Sequence, residues 1–192
     1  MIYPAKIADR LRALEHLRPP AKKDAAGISV SFCCGSFIRF NLVADTRMSI
    51  IEDVIFQSNG CGYMLATAEV LAESLSGREL TGLHGLDDLV MRQVIESNLG
   101  AVVIGRSECV DSCIQALHSA LSNHRTLRIE EFAGEKALIC TCFGVTEERI
   151  ETIIRAGNIE TVEDVSAECN AGLGCGSCRM MIEEMLDLRR RD

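Results

Sequence analysis

The hydrophobic pattern of the first 125 residues changes period once, from alternation to helical spacing. Three strand-like runs come first, at residues 28–33, 37–45 and 49–58. Three helical runs follow, at residues 63–77, 85–100 and 107–124. Strict alternation is typical of strands, and apolar residues at every third or fourth position are typical of helices. The pattern therefore predicts an α+β domain, in which a small antiparallel sheet is packed with helices.

A further helix is predicted ahead of the strands, at residues 5–18. Ile7, Leu11, Leu14 and Leu17 would share one face of it. The proline pair that follows would end this helix, because proline cannot continue one.

The last third of the chain shows helical periodicity alone. A polar, acidic stretch at 126–136 is predicted to be a linker, which divides the chain into domains at 1–125 and 137–192. Three helices are predicted beyond it, at residues 146–158, 161–168 and 176–190. No strand is expected after residue 142, so the second domain is predicted to be small and all-α.

Composition and charge narrow the classes of partner. Hydrophobic residues make up 47% of the chain, but the longest apolar runs are too short to cross a bilayer. The N-terminal segment is charged and lacks the apolar stretch of a signal peptide. We therefore expect a cytoplasmic protein without a membrane partner. The net charge of −8 argues against a nucleic-acid partner.

The chain contains 10 cysteines, a number that points to metal binding or redox chemistry in a reducing compartment. Four of them form two close pairs in the second domain, Cys140 with Cys142 and Cys175 with Cys178. A domain of this size commonly needs a metal or disulfides for stability. The spacing favours a [2Fe–2S] cluster over zinc, and it leaves zinc and a metal-free dithiol as alternatives.

The segment CTCFGVTEERIETIIRAGNIETVEDVSAECNAGLGCGSC closely resembles the bacterioferritin-associated ferredoxin type of [2Fe–2S] domain. The resemblance covers residues 137–188. It implies a permanent, redox-active [2Fe–2S] cluster held by Cys140, Cys142, Cys175 and Cys178. Cys169 lies between the pairs and is interpreted as an ordinary thiol near a helix end.

Three other cysteines, Cys34, Cys61 and Cys109, each lie at the predicted end of an element. The last two precede or open helices, where the helix dipole lowers the pKa of a thiol and favours the thiolate. A closed structural site would have four such ligands, whereas three converging thiolates make an open site that can receive and release metal.

This arrangement resembles the U-type iron–sulfur scaffold family, the IscU and NifU proteins. The matching segments are CGSFIRFNLV, FQSNGCGYMLATAEVLAE and CVDSCIQALHSAL, in the family's order and spacing. The resemblance covers residues 3–125 and implies a transient [2Fe–2S] or [4Fe–4S] cluster on Cys34, Cys61 and Cys109. The whole chain resembles a NifU protein without the C-terminal thiol domain of longer members.

The sequence departs from the family pattern near these cysteines. Ser36 stands where the family carries an Asp associated with a labile cluster, which predicts slower release. Glu108 and Cys113 are candidate extra ligands, although Cys113 also suits a buried apolar position. Cys33 is predicted to point to the opposite strand face from Cys34. The proline-containing segment that chaperones recognise in the family is replaced by LGAVVIGRSEC.

The resemblance implies a scaffold that assembles a transient cluster and hands it to apo-proteins, rather than an enzyme. Its partners would be a cysteine desulfurase as the sulfur donor, apo iron–sulfur client proteins and an electron donor, and a homodimer is left open. The main alternative is an electron-transfer or redox- and iron-sensing [2Fe–2S] protein with a degenerate scaffold domain. A zinc-binding structural protein is a third hypothesis.

Overall fold

The structure, a computed structural model, describes seven stretches of the chain: residues 3–20, 25–45, 50–83, 86–101, 105–131, 137–157 and 159–191. These residues form two compact units. The first is built from residues within 3–45, 50–78 and 86–124, and the second mainly from residues beyond 124.

The first unit is α+β, as the hydrophobic pattern predicts. Its elements are helix α1 (Ala5–Arg10), strands β1 (Ala25–Val30), β2 (Phe37–Asp45) and β3 (Ile50–Ser58), and helices α2 (Gly62–Leu75), α3 (Asp88–Leu99) and α4 (Ser107–Glu131, whose last turns belong to the second unit). The strands form one antiparallel sheet in the order β1-β2-β3. A short 3-10 helix, Leu80–Leu83, lies between α2 and α3 along the chain.

The core of this unit lies between the sheet and α2. Phe40 and Phe56 face each other across β2 and β3, with ring centroids 6.0 Å apart, and both are fully buried. α2 is buried over most of its length, from Met64 to Leu75. Because α2 is anchored in this way, the residue at its start is held in a fixed place relative to the sheet.

Strand β1 approaches the backbone of α4 closely at Gly27. A Cβ atom on Gly27 would lie 2.1 Å from the backbone nitrogen of Ala120 and 2.2 Å from the backbone oxygen of Ala116. Backbone atoms cannot move aside as a flexible side chain can, so only glycine lets the strand rest directly on the helix. Asn123 fastens the contact, because its side-chain oxygen accepts the backbone N–H of Ala26 at 3.0 Å.

The predicted helix at residues 5–18 is wrong in its second half. The backbone N–H groups of Glu15 and His16 donate to the buried carboxylate of Glu69 at 2.9 and 3.3 Å, and the His16 ring pairs with the same carboxylate. Leu17 then forms a bridge to β3. A carboxylate that is distant in sequence thus takes the N–H groups that a longer helix would have used.

The first strand is also shifted, since it was predicted at residues 28–33 and begins at Ala25. The prediction missed Ala25 and Ala26 because small residues carry little strand propensity. They are extended here because α4 covers that end of the strand. Residues 31–36, part of which was assigned to the strand, form the turn to β2 instead.

The second unit is mainly helical, with helices α5 (Glu147–Ala156), α6 (Val162–Cys169) and α7 (Arg179–Arg191). The expectation of no strand after residue 142 is wrong, because β4 (Leu138–Cys140) pairs with a two-residue strand, β5 (Val145–Thr146). A strand of two residues is too short to leave a periodic signal. Thr161 caps α6 in a complete capping box with Asp164.

The predicted linker at 126–136 begins inside a helix, because α4 continues to Glu131. Residues 132–136 lie outside the described residues. In the part of the chain that the structure describes, no helix is both long and apolar enough to cross a membrane.

We expect Gly27→Ala to lower the free energy of unfolding by about 3 kcal/mol, because the added methyl group meets backbone atoms of α4. Urea denaturation followed by circular dichroism would measure the change. Ser29→Ala is the control on the same strand, and we expect it to cost about 0.5 kcal/mol or less. An unchanged midpoint for Gly27→Ala would contradict the close packing of β1 on α4.

Candidate metal centres

Cys34 lies in the turn that joins β1 to β2. The backbone N–H of Ser31 donates to the carbonyl of Ser36 at 2.8 Å, and Gly35 adopts a φ of +68° that suits glycine. The exposed Cys34 sulfur lies 3.5 Å from the hydroxyl of Ser31 and 3.1 Å from that of Ser36. These hydroxyls, Ser31 first, stabilise the thiolate and lower the pKa of Cys34.

Cys61 and Cys109 begin two different helices, and their thiols meet. Cys61 is the N-cap residue of α2, and Cys109 lies in the first turn of α4. Their sulfur atoms are 3.7 Å apart. The pKa of Cys109 is raised to about 12, mainly because the thiol is buried. The charges of Cys61 and then Cys34 raise this pKa further. Cys109 therefore lies within electrostatic reach of both Cys61 and Cys34.

The glycine after Cys61 holds the start of α2 against the N-terminal segment. A Cβ atom on Gly62 would lie 2.7 Å from atoms of both Tyr3 and Leu11. The backbone N–H of Gly62 donates to the Tyr3 hydroxyl at 3.1 Å. This close packing leaves Cys61 little freedom to move away from Cys109.

Glu108 faces the turn that carries Cys34. One carboxylate oxygen accepts a hydrogen bond from the Cys33 thiol at 3.0 Å, and the other lies 3.5 Å from the Ser31 hydroxyl. The same Ser31 hydroxyl contacts Cys34. A carboxylate is therefore present beside the candidate ligands, although it comes from α4 and not from the turn.

Cys113 lies one turn beyond Cys109 on α4, within electrostatic reach of Cys109 and Cys61. Its side chain is fully buried, and its thiol donates to the backbone carbonyl of Met64 at 3.6 Å. Burial raises the pKa of Cys113 well above its ordinary value, so the site favours the neutral thiol.

The second candidate centre lies where the β4–β5 turn faces the loop before α7. Cys140 ends β4, Cys142 lies in the following turn, and Cys175 and Cys178 lie in the loop. The thiols of Cys142 and Cys178 both act on the pKa of Cys140, and the thiol of Cys175 acts on that of Cys142. Since the charge of Cys175 also acts on Cys178, each of the four thiols lies within interaction range of at least two others.

The thiols of this centre perturb each other strongly. The hydrogen bond with Cys140, followed by burial, raises the pKa of Cys142 well above its ordinary range. The hydrogen bond from Cys140 is the largest cause that lowers the pKa of Cys178. For Cys140, the hydrogen bond from Cys142 acts to lower the pKa, but Cys178 and burial together outweigh it and raise the pKa.

Backbone N–H groups also reach these sulfurs. Those of Phe143, Cys175 and Gly172 act to lower the pKa of Cys140, Cys142 and Cys178, respectively. The approach is close because Gly174 lacks a side chain, and a Cβ atom there would lie 2.8 Å from the Cys142 sulfur. Such N–H groups stabilise negative charge on cysteine ligands.

Neither centre gathers its ligands around a single point. Among the described residues, no three His, Cys, Asp or Glu side chains are arranged to hold one metal ion. The first centre contains a thiol pair with a third thiol beside it. The second contains four mutually interacting thiols from two turns, and a [2Fe–2S] cluster takes four cysteine ligands shared between two irons.

The placement of the cysteines at element ends agrees with the sequence-based expectation. Sequence reasoning did not identify Ser31, Tyr63 or Arg106, all of which lie beside the first centre. Ser31 could have been identified from the sequence. Short hydroxyl side chains in a turn commonly form hydrogen bonds with nearby groups, and serines flank the Cys33–Cys34 pair. The pair formed by Tyr63 and Arg106 left no signal, because its members are distant in sequence.

These features define a class of protein, an α+β domain with thiols at three element ends followed by a small four-thiol helical unit. Comparison with protein families gives the same division. Residues 2–131 match the NifU-like N terminal domain, and residues 138–187 match the BFD-like [2Fe-2S] binding domain. Since the first match covers more than half of the chain, this protein belongs to the NifU-like family.

Individual relatives agree with this assignment. The chain is 32% identical over 169 residues to the nitrogen fixation protein NifU of Trichormus azollae, an alignment that covers 87% of this chain and 55% of that protein. It is 26% identical to the iron-sulfur cluster assembly scaffold protein IscU of Aquifex aeolicus, over 73% of this chain and 90% of that protein. The chain thus spans about half the length of the NifU relative.

A solved structure shares the fold of the first unit. The N-terminal region of a nitrogen-fixing NifU-like protein from Brucella abortus superposes with a TM-score of 0.50 at 18% sequence identity. It covers 65% of this chain and 95% of that structure. At this identity the likeness shows the fold alone, and it confirms the α+β prediction for the first unit.

We expect Gly174→Ala to reduce the iron bound by the second centre, because the new Cβ atom would displace the Cys142 sulfur. The iron content and the visible absorbance of the purified protein would measure the loss. Gly157→Ala is the matched control, since the nearest atom to a Cβ there is a side-chain carbon of Ile159 at 3.3 Å. Equal iron content in the two variants would contradict the role of Gly174.

Proposed function

We propose that this protein builds a transient iron–sulfur cluster on Cys34, Cys61 and Cys109 and passes it to apo-proteins. The observation that carries the proposal is the sulfur distance of 3.7 Å between Cys61 and Cys109, beside an exposed Cys34 whose thiolate is stabilised. Two thiols from two helix starts supply fixed ligands. The third lies in an exposed turn, where a donor or an acceptor protein can reach it.

We assign the fourth ligand of this centre to Glu108. Its carboxylate lies against Cys33 and Ser31, next to the Cys34 turn, where it supplies an oxygen in place of the Asp that Ser36 replaces. Carboxylate oxygen binds iron and exchanges more readily than thiolate. Cys113 is left out of the proposed ligand set, because its buried thiol bonds to a backbone carbonyl.

We further propose that Cys140, Cys142, Cys175 and Cys178 hold a resident [2Fe–2S] cluster. The donor set fits that group, because four thiols from two turns lie within interaction range of one another and backbone N–H groups act to lower the pKa of three of them. When bound, such a cluster supplies one-electron transfer. Cys140, Cys142 and Cys178 are buried among apolar residues such as Ile150 and Ile182, which keep water and chelators away from the ligands.

The partners that follow from this proposal are proteins. A cysteine desulfurase would supply sulfur, an electron donor would supply reducing equivalents, and apo iron–sulfur proteins would receive the cluster. The protein would act as a scaffold and not as an enzyme, because the ligands bind and release their cargo without a catalytic acid, base or nucleophile acting on a substrate bond.

We expect the purified protein to be coloured and to gain further iron on anaerobic reconstitution with iron, cysteine and a desulfurase. A chelator with mild reductant should remove only the added iron, since an open centre loses metal more readily than a closed one. The combined change of Cys34, Cys61 and Cys109 to Ala should abolish the added fraction and spare the original colour. Iron analysis and transfer to an apo-ferredoxin would measure both.

Cys33→Ala is the control for that triple variant, because Cys33 is an exposed thiol in the same turn and outside the proposed ligand set. It should reconstitute as the parent does. A triple variant that reconstitutes and transfers as well as the parent would refute the scaffold function. That result would favour an electron carrier in which the second centre alone is active.

We expect Ser36→Asp to speed transfer of the added cluster to an apo-acceptor. A carboxylate at this position would lie beside Cys34 in the exposed turn and would offer an exchangeable oxygen ligand, as the Asp of the family does. The transfer rate at equal cluster loading is the measurement, with Ser36→Asn as the uncharged control. If both variants transfer at the parent rate, then Glu108 alone sets the lability of the site.

A further inference from the structure

A cation lies next to the paired thiols of the first centre. The Arg106 guanidinium carbon is 5.4 Å from the centroid of the Tyr63 ring, a distance that suits a cation–π contact. The edge of the Tyr3 ring meets the same Tyr63 ring, with centroids 5.4 Å apart. Three side chains from separate parts of the sequence are thus stacked beside the starts of α2 and α4.

This stack joins the two helix starts at the ends that carry the thiols. Tyr63 follows Cys61 by two residues in the first turn of α2. Arg106 precedes α4, and its carbonyl accepts the backbone N–H of Cys109 at 3.1 Å. A contact between Tyr63 and Arg106 therefore restrains the separation of the Cys61 and Cys109 sulfurs.

We propose that Arg106, seated on the Tyr63 ring, is a positioning residue that holds Cys61 and Cys109 at the spacing needed to bind one metal ion. The inference rests on the proposed function of this centre, and it adds a residue that is not a ligand. Two helices that begin at different points of the fold have no covalent reason to present their thiols together. The stack adds a restraint at the surface to the buried contact between Cys113 of α4 and Met64 of α2.

The charge of Arg106 acts in the same direction. A divalent metal bound by three thiolates and a carboxylate carries net negative charge, which a nearby cation stabilises. The planar guanidinium stacks on an aromatic face better than an ammonium group does.

The test uses the full-length protein purified with its resident cluster, so that the thiols of the second centre are occupied. Co²⁺ is added under anaerobic conditions, and thiolate-to-Co²⁺ charge-transfer absorption is recorded as a difference spectrum. Affinity is measured by competition with a chelator. The variant with Cys34, Cys61 and Cys109 changed to Ala defines the signal that belongs to the first centre.

We expect Arg106→Gln and Tyr63→Leu each to weaken Co²⁺ binding by about tenfold, the size of effect seen for residues that orient metal ligands. Absorption per bound ion should also fall, because one sulfur leaves the metal when the helix starts separate. A residue that only supported folding would lower the melting temperature without changing absorption per ion. Arg106→Lys keeps the charge and loses the planar stack. Its affinity for Co²⁺ should therefore lie between those of the parent and of Arg106→Gln.

Two controls are expected to match the parent. Tyr63→Phe keeps the aromatic face, and Arg10→Gln removes a cation of the same unit that pairs with Glu73. The inference is overturned if Arg106→Gln binds Co²⁺ as the parent does, or if Arg10→Gln weakens binding equally. Either result leaves the proposed scaffold site standing. A parent that shows no cysteine-dependent Co²⁺ signal overturns the proposed site itself, and this inference with it.

Discussion

The close contact of β1 with α4 at Gly27 is the constraint on which the first centre depends. The strand lies directly on the helix backbone, where an added Cβ atom would meet Ala116 and Ala120 at little more than 2 Å. The turn with Cys34 begins where β1 ends, and Cys109 lies near the start of α4. Fixing the strand on the helix therefore fixes one thiol relative to another, while Cys61 is set separately by the buried helix α2. An open metal site needs this support, because three thiols alone cannot fold the protein around a metal.

The two centres differ in how far each protects its sulfurs. In the first, solvent exposure decreases from Cys34, which is exposed, through the half-buried Cys61 to the buried Cys109. In the second, three of the four thiols are buried and glycine-lined turns bring N–H groups to the sulfurs. Exposure favours exchange of metal with a partner protein, and burial with N–H donors favours retention. The same amino acid therefore serves two opposite requirements through its surroundings.

Much of this arrangement was predictable because its signals are local. The glycines around Cys61 indicate a tight turn into a helix, and the cysteine spacing in residues 140–178 is a pattern within one segment. The errors arose where a distant group decides the outcome. Glu69 captures the N–H groups of Glu15 and His16 and stops a helix that the periodicity favours. The stack of Arg106 on Tyr63 is of the same kind, since nothing in either segment alone indicates the other.

At the first centre, the carboxylate comes from a different element than in the family pattern, and this difference bears on the proposed function. An Asp in the Cys34 turn would lie on a short, exposed loop that moves together with that thiol. Glu108 approaches instead from α4, on the residue next to Cys109, and its oxygens already contact Cys33 and Ser31. A ligand borne by the helix keeps its position when the turn shifts toward a partner. In the proposed ligand set, release would require the turn to leave both Glu108 and the metal, a larger rearrangement than exchange of a ligand within the turn itself. Loss of the turn carboxylate would then slow release without removing oxygen ligation from the proposed site.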